Sequence, residues 1–541
     1  MVLNATKNSS GLGSLPKKQL VITLIGVMLA MFIGALDQTI VGTAMPRIVS
    51  DLGGFSQYTW ITTIYIITSA IALPITGKLT DMFGRKYFYI AGLIIFSLAS
   101  LACGFSNSMT ALIIWRGIQG IGGGMIMANS FTVIGDLFPP AERGKFMGYI
   151  SATFAASSII GPVLGGYITD AISWHWVFFV NIPIGILIIL LFAFYFPDIK
   201  PDTSKHRIDY PGVTTLILTV VSIMLALSWG GAQYPWDSLL IIGLFVFSAV
   251  MLLLFIFIES RVEEPILPLG LFKNQIVAIS IIVAFLSSFV MFANATFIPL
   301  FFQGVLGVTA TASGTLLIPM TLGSTFGSFL SGQLLTRAGG HYRLQALFGL
   351  GIMTLGVWFL SRMNLQTSNT QAVMEMVVTG FGLGITMPIF AITVQNAVSY
   401  NMLGVATSSV PFFRSLGGSV GLAIFGSVLN NRFASQFLGS IPPVVKTTIP
   451  AEQLSSLAYN PQALVSVQAQ AQLRDTFNVF GSQGQSLYDQ MLQALRQSLS
   501  SAIDRVFLIA LFAGIASFII CIFLKEIPLL KKYITSDLIE K

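Results

Sequence analysis

Cysteine is nearly absent from this chain: there are two, Cys103 and Cys521, and both fall in apolar segments. That excludes a disulfide framework and a thiolate metal site. Three histidines, with no grouping of His, Cys and Asp, leave metal catalysis without ligands. No GxxxxGK[ST] run is present, so no nucleotide-driven step is implied, and no cofactor or nucleic-acid partner is expected. The decisive shortage is of charge. Charged residues are 9% of 541, whereas a soluble domain carries about a quarter. Hydrophobic residues make up 54% and the mean hydropathy is +0.82, so the chain reads as an integral membrane protein. The first apolar run is too long for a signal-peptide core and is expected to be retained as a span.

Hydrocarbon about 30 Å thick takes about 20 helical residues to cross. Fourteen stretches qualify, near 19–44, 58–79, 88–106, 110–135, 145–168, 175–196, 212–230, 238–258, 276–302, 311–335, 345–361, 372–394, 404–429 and 504–524. They are too long for barrel strands, and lipid leaves no partner for an unpaired backbone group, so helices are predicted throughout. With the N terminus inside, the inner loops collect Lys78, Arg85, Lys86, Arg143, Lys145, Lys200, Lys205, Arg207 and Arg261, as the positive-inside rule requires. The seven tryptophans then fall at or near outer ends, as an interfacial aromatic belt. Both termini are expected in the cytoplasm, in a multi-pass protein of the cell membrane.

The loop after span two, "GKLTDMFGRKYF" (Gly77 to Phe88), has a counterpart after span ten, "GQLLTRAGGHYR" (Gly332 to Arg343). Two related halves follow: spans 1–6 in residues 1–200, and spans 9–14 in 261–541, with spans 7–8 in 201–260 as an inserted hairpin. Repeated halves around a shared site are the architecture of secondary transporters. The long outer segment 431–502 is rich in Gln and Ser. Its Leu487, Met491, Leu495 and Leu499 recur every four residues, which predicts an amphipathic helix lying on the outer surface.

Three charges stand out within the spans. Asp37 is the one ionisable residue between Leu20 and Ala44. Arg116 and Arg414 each cost at least about 2.5 to 3.5 kcal/mol on insertion scales. Arg116 either snorkels to an interface or serves a site; Arg414, near mid-span, is either structural or substrate-facing. In the loop after span two, Asp81 does not suit a purely basic topology signal. An acid there can bond to Arg85 and to a neighbouring helix N-terminus, forming an inner-gate latch.

These motifs resemble the major facilitator superfamily, and within it the fourteen-span drug:proton antiporters of the EmrB/QacA type. "GKLTDMFGRK" matches the inner-loop signature through Gly77, Asp81, Gly84, Arg85 and Lys86, and "WRGIQGIGGG" the span-four signature through Arg116, Gln119 and Gly120. Span five carries the antiporter pattern in Gly148, Gly161, Pro162, Gly165 and Gly166, with Ser157 where glycine is usual. "LDQTIVGTAMP", which includes Gln38, "WHWVFFVNIPIG" and "ATSSVPFFRSLGGSVG" are similar to further signatures of the group; His175 stands where arginine is usual. Two readings of the span-five glycines stand side by side. They let helices approach closely, or Pro162 bends the helix and a bare face seals against the other half so that protons do not leak.

The resemblance implies an all-α major facilitator fold and a monomer that exports lipophilic, often cationic compounds by alternating access, driven by the proton gradient. A proton-linked carrier for a dedicated metabolite, exporter or symporter, is the alternative. It also implies that spans one and four share a half, so that Asp37 and Arg116, at similar depth, can meet and compete for proton and substrate. Gln38, Gln119 and Arg414 are the further cavity candidates. An enzyme is not expected, because the loops offer no nucleophile, acid/base pair or metal cluster.

Overall fold

The computed structural model describes residues 16–53, 57, 60–197, 207–231, 233–337, 341–441, 474–475, 477 and 484–529. Both terminal tails, the basic residues Lys200 and Lys205, and residues 442–473 of the outer segment lie outside that set.

Among the described residues there are helices and no strands. We number them α1 (Lys17–Leu52), α2 (Trp60–Phe83), α3 (Arg85–Gly104), α4 (Met109–Leu137), α5 (Pro140–Ala171), α6 (Trp176–Phe179), α7 (Asn181–Tyr195), α8 (Tyr210–Trp229) and α9 (Leu239–Glu259). The second series is α10 (Gln275–Leu300), α11 (Ala310–Arg337), α12 (Tyr342–Leu360), α13 (Asn369–Asn396), α14 (Leu403–Ser440) and α15 (Gly484–Ile522). Polar residues at the starts do the capping: Ser108, Asp209, Ser238, Asn274 and Ser368 each accept a backbone N–H of the helix they precede. Thirteen helical stretches are long and apolar enough to cross a membrane, α6 and α7 together making one of them. The less apolar α11, with 28 residues, is about 42 Å long and is the fourteenth of spanning length among the described residues. Large apolar side chains such as Leu239, Phe194 and Val163 face outward, as lipid rather than water would require.

The halves repeat each other's contacts. A methyl group at Gly122 of α4 would lie 2.8 Å from the Gly92 carbonyl oxygen of α3; one at Gly382 of α13 would lie 2.7 Å from that of Gly349 in α12. Gly120 presses on the Tyr65 backbone of α2, and Gly380 on the Met320 backbone of α11. Gln19 donates to the carbonyl of Tyr195 at 2.9 Å, and Gln275 to that of Phe523 at 3.4 Å. Each glycine removes a Cβ where two helices meet at backbone distance.

The inserted pair α8–α9 lies across the boundary between the halves, α8 packing on both α2 and α14. Trp229 at its end meets Trp60 of α2 edge-on, with ring centroids 5.5 Å apart. The tryptophans gather toward the end of the bundle opposite the α2–α3 turn. Hydrogen bonds that join the halves among the described residues include Asp81 to α14, Arg143 to Gln395, Gln395 to Phe131, and Ser151 to Ser328, all in the part nearest that turn. The halves are therefore hydrogen-bonded to each other toward the turn end.

One prediction is corrected. Leu487, Met491, Leu495 and Leu499 do not form a separate helix on the outer surface. They belong to α15, a continuous helix of 39 residues, and all four are buried. Likewise α14 runs on to Ser440, so both described ends of segment 431–502 are helical. The reason is packing: the stripe shares one hydrophobic core with Phe433 and Phe437 of the α14 extension, and with Phe477, instead of facing a headgroup layer.

Candidate functional site

Asp37 is fully buried in α1 and its two oxygens take three donors from two other helices. Oδ2 accepts from Arg116 Nη1 at 2.6 Å; Oδ1 accepts from Gln119 Nε2 at 2.9 Å and Asn181 Nδ2 at 3.0 Å. The periodicity of α4 makes this possible, since Arg116 and Gln119 are three residues apart and share a face. Arg116 Nη1 also donates to Gln119 Oε1 at 2.8 Å, and its guanidinium lies over the Tyr65 ring, 4.4 Å from the centroid. Asn181, at the start of α7, donates to Ser100 Oγ at 3.1 Å, and Ser100 in turn to the Phe178 carbonyl at 2.9 Å. Five helices, α1, α2, α3, α4 and α7, thus surround one carboxylate, all within the first half. Removing one partner of such a buried pair costs about 3–5 kcal/mol, because the other charge is left uncompensated.

A second cluster occupies the α2–α3 turn. Gly84 has φ 92, a left-handed conformation that favours glycine, and it alone separates the end of α2 from the start of α3. Asp81 Oδ1 accepts from Arg85 Nη2 at 2.5 Å and from Gly404 N at 2.8 Å, and Oδ2 from Val405 N at 2.9 Å. The carboxylate therefore sits on the N-terminus of α14, where the helix dipole favours a negative charge. Arg85 also reaches Asp136 at 3.0 Å and Thr80 at 2.7 Å. Gly77 stands against Ser408 and the Gly404 carbonyl, the close approach that brings Asp81 to α14. Lys86 does not enter the cluster; its ammonium caps the Ala193 carbonyl of α7 at 2.9 Å.

The span-five glycines divide. Gly148 faces Phe329 of α11, in the other half, but Gly161 and Gly165 pack on Thr39, Ile40 and Thr43 of α1, in the same half. A Cβ on Gly166 would meet nothing within 4 Å among the described residues. A single bare face from Gly148 to Gly166 sealing against the other half is therefore not what forms. Backbone instead meets backbone across that boundary at Gly144 and Gly332, where a Cβ on Gly144 would lie 2.5 Å from the Gly332 carbonyl oxygen. Pro162 lies inside α5. Gln38 is exposed, and Arg414 is half-buried on α14; neither bonds to Asp37, and among the described residues Arg414 has no ion pair.

Sequence reasoning missed Asn181, Ser100 and Tyr65 around Asp37, and Asp136, Arg143 and Gln395 at the turn end. Asn181 carried a signal, being a lone amide opening an apolar span. Arg143, fully buried, donates to Gln395 Oε1 at 2.9 Å and to the carbonyls of Gly135 and Phe138 at 2.6 and 2.8 Å. In the loop before α6, His175 stacks on Trp174 at 3.8 Å and shares a hydrogen bond with Ser173 Oγ at 2.7 Å. Burial lowers its pKa, while Asp51 pulls it the other way.

Two repeated sets of membrane-spanning helices, with a carboxylate and its counter-ion enclosed in one of them and a charge cluster joining the two, are the architecture of a secondary membrane transporter. Comparison with known proteins agrees. Residues 27–422 match the family model of the Major Facilitator Superfamily, and the chain belongs to that family. It is 40% identical over 522 residues to the multidrug transporter protein MdtP of Bacillus subtilis (strain 168), covering 96% of this chain and 95% of that one. Multidrug resistance protein 3 of the same organism is 37% identical over 501 residues, 93% and 94% of the two chains. Among solved structures, the proton:xylose symporter XylE superposes with a TM-score of 0.59 at 12% identity, covering 95% of this chain and 97% of that one. The human organic anion transporter MFSD10 gives 0.58 at 13%, over 92% and 100%. At those identities the likeness is one of fold.

Proposed function

We propose that the protein exports lipophilic, often cationic compounds from the cell in exchange for protons, with Asp37 as the proton-coupling group. The reading is carried by one observation: Asp37 is fully buried in a span, yet every donor that holds it is a side chain. Side-chain donors can be withdrawn by a rotamer change or a small helix shift, whereas backbone donors cannot. When a proton binds Asp37, the ion pair with Arg116 is lost and the guanidinium is freed; when the carboxylate is exposed to a cationic substrate, substrate and proton compete for one charge.

In the present conformer Asp37 is saturated and out of reach, so that competition belongs to the state in which the halves have moved. Alternating access supplies it. The Asp81–α14 latch and the Arg143–Gln395 bond close the turn end, which we assign to the cytoplasmic side; their release opens the cavity inward. Multidrug transport by the relatives supports a broad substrate range, met by adaptable apolar contact rather than many fixed hydrogen bonds. The protein then works in the cell membrane as a monomer, with both termini in the cytoplasm.

The test is dye accumulation in cells that express the protein. Lower ethidium content, restored by a protonophore, is the expected result. Content unaffected by expression, or lowered but indifferent to the protonophore, contradicts proton-driven export.

A further inference from the structure

The inserted hairpin carries two buried acids that the transport reading does not use. Asp209 begins α8, and its Oδ1 accepts from Gly212 N at 2.8 Å. Its Oδ2 has no hydrogen-bond partner, although the residue is only 4% exposed. Glu259 ends α9 and is equally enclosed, at 4%. Its Oε1 accepts from Ile266 N at 3.1 Å and its Oε2 from Leu267 N at 3.2 Å, so it fixes the segment that leads toward the second half.

The two acids meet over one glycine. A Cβ placed on Gly212 would press on Asp209 Oδ2 and would lie 2.9 Å from Glu259 Oε1. The orphaned oxygen of one acid and an oxygen of the other thus flank the same vacant Cβ position, a place that only the absence of a side chain leaves open. Among the described residues no cation forms an ion pair with either acid. Lys78 of α2 is near enough for its field to reach Glu259, but among the described residues no ion pair joins them. Arg207 offers its backbone N–H to Glu264 at 2.8 Å, Arg261 lies over the Phe257 ring at 4.7 Å, and Glu263 is exposed. Like charges brought together away from bulk water disfavour full ionisation of both.

We propose that Asp209 and Glu259 hold one proton between them, a second protonation site, distinct from Asp37, at the turn end of the inserted hairpin. With the proton bound, an O–H bridge ties the start of α8 to the end of α9. When it leaves, two adjacent anions repel and the seat of the hairpin loosens beside Lys78, three residues before Asp81. Because α8 packs on both α2 and α14, the site is placed to report pH to the boundary between the halves. The inference does not depend on Asp37 being the coupling group.

Infrared difference spectroscopy of the full-length protein in lipid nanodiscs, stepped from acid to alkaline pH, tests it. A protonated-carboxyl band is expected at neutral pH in the wild type, lost in both Asp209→Asn and Glu259→Gln, and retained in Asp37→Asn. Asp209→Asn keeps an oxygen for Gly212 N–H and offers an amide N–H to Glu259, so the hairpin still seats. A second readout is the thermal midpoint against pH. The folded state holds the extra proton, so wild-type stability should fall as pH rises through the site's own pKa, and Asp209→Asn should lose half or more of that slope. Equal bands in the wild type and both variants, or an unchanged slope, overturn the proposal. A failure of dye export would leave these spectra untouched.

Discussion

Asp81 and Gly404 are joined across the boundary between the halves, the carboxylate of the one accepting the backbone N–H of the other at 2.8 Å. The bond is made to the oxygen that Arg85 also grips, on an acid whose side chain is itself buried. It ties a charge cluster of the first half to the first turn of a helix of the second.

Asp81→Asn keeps one acceptor for α14 but loses the charge that Arg85 and the helix dipole favour. Hydrogen bonds to charged groups are worth about 1.5–3 kcal/mol, so the population should shift toward the state open at the turn end by about that amount. Dye transport is expected to fall several-fold at normal expression, with thiol reagents reaching a cysteine on the α14 start more readily. Unchanged transport and accessibility would reduce the cluster to a topology signal.

The α5–α11 boundary offers a graded test. Gly144→Ala places a methyl 2.5 Å from the Gly332 carbonyl oxygen, and the neighbour is backbone and cannot turn aside. Transport should drop severely while each half stays folded. Gly166→Ala, with nothing within 4 Å, should transport like the wild type. If the two variants behave alike, closure does not run through this contact.

Gly84→Ala puts a Cβ on a backbone with φ 92. The expected penalty is about 1–2 kcal/mol, read as a lowered thermal midpoint in detergent. A midpoint equal to the wild type's would mean that the turn relaxes.

Orientation is tested by cysteines placed at Ser10 and Ser536, in tails outside the described residues. Both should resist an impermeant thiol reagent in intact cells. Labelling of either one contradicts the cytoplasmic assignment of that terminus.

Much of the fold was legible because lipid leaves so few choices. Runs of apolar residues had to be helices, and the glycine and arginine of "GKLTDMFGRK" mark a tight charged turn whatever they touch. The partners of small residues were not legible. Gly161 and Gly144 both announce a close approach in α5, but the sequence does not say that one meets α1 and the other α11. The same limit hid Asn181: an amide in an apolar span must be bonded, yet its partner lies 144 residues away. Segment 487–499 was misplaced for a related reason, since a stripe repeating every four residues suits a headgroup layer and a protein core equally well.

Arg116→Ala should strand Asp37 without its counter-ion. Expression and transport are expected to fall together, in line with a cost of about 3–5 kcal/mol for breaking a buried pair on one side. Full expression with normal transport would show that the carboxylate needs no cation.

The most direct measurement is uphill efflux of a cationic dye from proteoliposomes under an imposed pH gradient, comparing the wild type with Asp37→Asn and Asp37→Glu. The account predicts that Asp37→Asn folds and still binds neutral compounds but loses proton-driven efflux, while Asp37→Glu keeps part of it. Near wild-type uphill pumping by Asp37→Asn would contradict it and leave Asp37 as a structural partner of Arg116.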